Sequence, residues 1–70
     1  MAVNLNNLQK KVLACFGGKD VIIKNTEICD YLDTTRAVAN VEISRLCHKG
    51  LLIKVRKGEH KLNLEKVNDL

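Results

Sequence analysis

Seventy residues leave room for one domain with a small core, which argues against a deep substrate cleft with a supported catalytic shell. Hydrophobic residues make up 46% and charged residues 29%, without proline, a globular and not a disordered composition. No stretch approaches a membrane span, the N-terminal residues lack the apolar core of a signal peptide, and the net charge of +4 favours a polyanionic partner.

The domain is expected over residues 1–70, with its core at about 5–64. Leu5, Leu8, Val12 and Phe16 recur at intervals of three or four, which predicts a helix over 4–16. Asn4 is its expected cap and Gly17-Gly18 its stop. Val21-Ile22-Ile23 is β-branched and too short for a helix, and reads as a short strand. Asn25 is the candidate cap of a second helix running to about Leu32, with Ile28, Tyr31, Leu32 and Cys29 along its buried edge. Asp33-Thr34-Thr35 supplies a turn and a new cap. A third helix follows from about Arg36 to Lys49 and stops at Gly50.

The remainder reads as a hairpin with a two-residue turn at Gly58-Glu59, where Gly-X suits a type II′ turn. That register sets Val55 opposite Leu62 and Ile53 opposite Leu64 on an apolar side. It sets Arg56 opposite Lys61 and Lys54 opposite Asn63 on a basic side. Residues 65–70 are left as a frayed turn or a further contact. The fold class is α+β: three helices, a short strand and a C-terminal hairpin.

Positive charge concentrates in one segment. Between Thr34 and Lys61 the bases are Arg36, Arg45, Lys49, Lys54, Arg56, Lys57 and Lys61, and the acids only Glu42 and Glu59. The rest of the chain carries slightly more acid than base.

In this order of elements the chain resembles a winged helix-turn-helix domain. Thr26-Glu27-Ile28-Cys29 and Leu32, then Ile43 and Leu46, match the two motif helices. Lys49-Gly50-Leu51-Leu52-Ile53 is similar to the exit into the wing of many bacterial and archaeal regulators, and Arg56-Lys57-Gly58 to a wing tip. Small regulators of the fimbrial FaeA/PapI kind are similar in size and layout, and the likeness covers roughly residues 5–64. Glu42 departs from the pattern. It falls near the core edge of the third helix, where such families often have an apolar residue, and it either reaches solvent or pairs with a neighbouring base.

The resemblance implies a small transcriptional regulator that binds double-stranded DNA, with helix 34–49 in the major groove and wing 51–64 on the backbone. On a helical wheel Ala39, Ile43 and Leu46 face the core, while Ala37, Asn40, Val41, Ser44 and His48 lie outside with Arg45 at one flank. Asn40 is suited to adenine, Arg36 or Arg45 to guanine or phosphate, and Val41 to a thymine methyl. Thr35 and Ser44 are weaker candidates, since a hydroxyl there serves equally as a cap or a bystander. Lys54, Arg56 and Lys61 are expected on one face of the wing, with Lys57 and His60 at its tip, lying along phosphates. Lysines on a hairpin also protect an edge strand from aggregation.

A winged helix that docks on proteins of a transcription or replication complex is the alternative. So is non-specific nucleic-acid binding. A monomer, a homodimer on paired half-sites and a protein co-regulator all stay open, and the expected location is the cytoplasm or nucleoid. Cys15, Cys29 and Cys47 form no C-x-x-C pair and read as reduced, core-packing thiols, so no metal and no cofactor are expected. Tyr31 and Phe16, the only aromatics, sit on apolar stripes and supply no base-stacking platform. No phosphate loop or catalytic motif is present, and the chain is not read as an enzyme.

Overall fold

The computed structural model describes residues 4–69. Residues 1–3 and 70, the ends of the expected domain, lie outside the described residues.

Asn6, not Asn4, caps the first helix, α1 (Asn7–Cys15). Its Oδ1 accepts the Gln9 backbone N–H at 2.8 Å, and Gln9 Oε1 accepts the Asn6 N–H at 3.1 Å. This reciprocal box satisfies two donors that a helix start leaves open. Val12 and Phe16 are buried, and the chain leaves the helix through Gly17 and Gly18, both at positive φ. The strand that follows is shorter than expected. Only Ile23–Lys24 (β1) pairs, while Val21 and Ile22 are exposed.

The second helix, α2 (Asn25–Leu32), begins at Asn25 itself, with Lys24 in the cap position. Asn25 is therefore not the cap, and its side chain is engaged elsewhere. Ile28, Cys29 and Leu32 are buried, but Tyr31 is 56% exposed, against expectation. The buried stripe is turned toward Cys29, which moves Tyr31 off it by about a quarter turn. Cys29 Sγ donates to the Thr34 carbonyl at 3.1 Å and ties down the turn into the next helix.

Asp33 makes that turn with φ +54°, the left-handed geometry that Asp tolerates better than most residues. Thr35 then caps α3 (Arg36–His48), its hydroxyl oxygen accepting the Val38 N–H at 3.3 Å. Ala39, Ile43 and Leu46 face the core as expected, and Glu42 joins them at 4% exposure. Its burial is balanced: Oε1 accepts from Arg45 Nη1 and Oε2 from Asn6 Nδ2, each at 3.1 Å. Of the two outcomes left open for Glu42, pairing is the one found.

Strands β2 (Leu52–Arg56) and β3 (Glu59–Leu62) form the hairpin, and β3 is central in an antiparallel sheet of order β1-β3-β2. The expected register is wrong. Leu52 lies opposite Leu62, Ile53 opposite Lys61, Lys54 opposite His60 and Arg56 opposite Glu59, with an irregularity between Lys54 and Arg56. The turn is at Lys57-Gly58, and Glu59 belongs to the strand. This register puts Leu52 on the inward side with Leu62, while the rest of β2 is exposed, Ile53 and Val55 included.

A fourth helix, α4 (Leu64–Asn68), forms where a frayed turn or contact was expected. Asn63 accepts the Lys66 N–H at its start and donates Nδ2 to the Gly50 carbonyl at 2.9 Å. Leu64 and Val67 pack against the core. Five residues are too few to show a helical period. Among the described residues the result is an α+β fold of four helices and three antiparallel strands around one core that α1, α2, α3 and the hairpin share. Among the described residues no helix is long and apolar enough to cross a membrane.

Candidate nucleic-acid interface

The outward face of α3 is as the wheel places it. Arg36, Ala37, Asn40, Val41, Ser44, Arg45 and His48 are all exposed. Thr35 is exposed too, with its hydroxyl oxygen occupied by the cap and its proton free to donate. Arg45 leans back on Glu42, so part of its charge is balanced.

The hairpin differs from expectation in what it gathers. Lys54, Arg56 and Lys61 do not share one face. Lys54 continues the side of Leu52 and Leu62 and lies opposite His60, while Lys61 lies opposite Ile53 on the other side. Arg56, past the irregularity, is exposed and sits 3.6 Å from Glu59 Oε1. Lys57 is exposed at the tip.

A cleft of about 330 Å³ separates α3 from the hairpin tip. Asn40 and Ser44 line it from the helix, Lys54 and Lys57 from the hairpin, and Asn25 and His60 close its floor. The hairpin therefore brings two lysines beside the polar edge of α3. A second, shallower hollow on the far flank of α3 is lined by Ala37, Val38, Val41 and Glu42 and is largely apolar.

No family model, curated protein or solved structure matches the chain.

Sequence reasoning gave two cleft residues, Asn25 and His60, other places. His60 was expected at the tip, but it is buried in β3 at 5% exposure. Its Nδ1 lies 2.9 Å from Asn25 Oδ1, and Asn25 Nδ2 donates to Asn40 Oδ1 at 3.3 Å. Burial, with the nearby Lys54 charge, pushes the His60 pKa below its ordinary value. Burial pushes the Cys47 thiol up, and Lys54 works against that rise. Lys54 is thus close enough for both groups to feel its charge. The strand period carried a signal for His60, since a residue two before the inward Leu62 also points inward.

The Cys15 thiol is likewise raised, by burial and then by Glu27. Cys15, Cys29 and Cys47 are all free, and among the described residues no group of three His, Cys, Asp or Glu converges to hold a metal.

Proposed function

We propose that the chain is a small winged helix-turn-helix regulator of double-stranded DNA. In this reading α2, the Asp33–Thr35 turn and α3 form the helix-turn-helix, and the β2–β3 hairpin is the wing. The observation that carries it is the cleft that sets Asn40 and Ser44 of α3 beside Lys54 and Lys57 of the hairpin. A helix face of small and polar side chains approaches base edges closely, and ammonium groups flanking it replace the counterions of the phosphates alongside. The positive excess between Thr34 and Lys61 lies on these same elements. Arg36 and Arg45 on α3, with Arg56 near the wing tip, complete the binding surface, while Lys61 faces away from the cleft.

The test is a fluorescence-anisotropy titration of duplex DNA, both random and selected from a random pool, at about 50 and 200 mM salt. Affinity is expected to fall steeply with salt, and the Lys54→Ala/Lys57→Ala pair is expected to reduce the log–log slope by roughly two units, near 0.9 for each phosphate that is no longer neutralised. Salt-independent binding, or none, overturns the proposal. The apolar hollow at Val38 and Val41 favours a second reading, docking on a partner protein, which predicts no duplex binding in the same titration.

A further inference from the structure

The chain His60–Asn25–Asn40 links three elements and ends on the exposed face of α3. We infer that His60, acting through Asn25, is a positioning residue that turns the Asn40 amide so that its Nδ2 hydrogens face a bound base. This rests on the DNA-binding proposal and gives that surface a base preference.

An amide chain of this kind has a direction. Asn25 Oδ1 only accepts, so at 2.9 Å the His60 Nδ1 carries the proton and donates it. Asn25 Nδ2 is then the donor to Asn40 Oδ1. One lone pair of Asn40 is engaged, and both of its Nδ2 hydrogens stay open. With the opposite tautomer every bond reverses: His60 Nδ1 accepts from Asn25 Nδ2, Asn25 Oδ1 accepts from Asn40, and the Asn40 carbonyl turns outward. A neutral imidazole carries one proton on one of two nitrogens, so the chain has one direction at a time. Lys54 lies opposite the ring, and Lys57 and Cys47 line the same cleft. The frame is fixed as well, because the Asn25 backbone N–H donates to the Gly58 carbonyl at 2.9 Å.

The consequence differs from the adenine pairing that asparagine usually makes, which uses its oxygen and nitrogen together. Two outward N–H groups match two acceptors. In the major groove that is guanine, through N7 and O6.

The test measures affinity for a selected duplex in which every base pair is replaced in turn, using the whole chain and variants checked by thermal melting. The wild type is expected to prefer guanine at one position, and Asn40→Ala to erase that preference, about fivefold or more. Asn25→Asp is decisive, since a carboxylate only accepts. Asn40 must then donate inward and present Oδ1, so the preference at that position moves to adenine or cytosine while affinity at other positions falls uniformly. Asn25→Ala, which removes the link without adding charge, is expected to free the Asn40 amide to flip and so to abolish the guanine preference in favour of the usual adenine pairing. The ring ¹⁵N shifts of His60 should show Nδ1 protonated. The inference is overturned if Asn25→Asp keeps the guanine preference, if Asn40→Ala alters no position, or if His60 carries its proton on Nε2 alone. A chain that binds no duplex overturns the DNA proposal too; a chain that binds but shows any of these results overturns only the relay.

Discussion

Asn6 uses both ends of its amide. Its oxygen caps α1, and its Nδ2 reaches across to the buried Glu42 carboxylate on α3. Asp is as good a cap as Asn in an ordinary helix. Here Asn6→Asp keeps the cap and sets a second carboxylate against Glu42, so it should destabilise the fold by about 1–2 kcal/mol. Asn6→Ser, which caps without reaching Glu42, should cost less, and urea unfolding of the two variants gives the comparison. An aspartate variant as stable as the wild type would remove Glu42 from the account. The true cap was legible: Gln9 stands three residues after Asn6, the spacing of a capping box, and nothing comparable follows Asn4. The partner of Glu42 was not, because sequence spacing does not show that α1 begins beside the middle of α3.

At the scale of elements the hairpin shows how a pattern can mislead. Leu51-Leu52-Ile53 offers three apolar residues in a row, and either parity gives an apolar side. The choice depended on the turn, and Gly58 suits two turns that differ in which side faces the core. In the structure Gly58 has φ +77°, and a Cβ there would meet nothing within 4 Å. Gly58→Ala therefore isolates a backbone cost, about 1–2 kcal/mol, which lowers the melting temperature by roughly 4–8 °C per kcal/mol. D-alanine at the same position, introduced by synthesis, should restore or exceed the wild-type midpoint, since it takes positive φ without that cost. Equal melting of the two isomers would mean that the turn is not made at Gly58. The helices were more legible, because the buried residues of α3, Ala39 to Leu46, repeat over about two turns and those of α2, Ile28, Cys29 and Leu32, fall on one side of a single turn. The faces of α3 follow from Ala39, Ile43 and Leu46 alone.

For the whole molecule, acid should act through His60. The unfolded chain titrates this ring near the ordinary value of 6.5, and the folded chain holds it lower. Between those two values the unfolded state binds a proton that the native state rejects. His60 thus favours the fold fully above about pH 6.5, and its contribution shrinks as pH falls through that value toward the folded pKa, then levels off. His60→Phe should flatten the fall in urea midpoint between pH 7 and pH 5 relative to the wild type; parallel curves would mean that the ring titrates alike in both states. The overall α+β layout was readable because each main element carries its own period and punctuation. The candidate surface was readable only in its parts. Asn40, Lys54 and Lys57 were each named from sequence, but their meeting in one cleft with His60 beneath depends on a register that the residues alone leave open.

The irregularity between Lys54 and Arg56 has a consequence of another kind. β2 is an edge strand of its sheet, and its outward row of backbone donors and acceptors is a template on which another chain can add a strand of its own. Exposed Ile53 and Val55 would make such growth adhesive. A kink within five residues breaks the straight run that fibre-like stacking needs, and charges on either side of Val55 repel a like copy. The same irregularity that spoils the pairing of the hairpin works against edge-to-edge polymerisation.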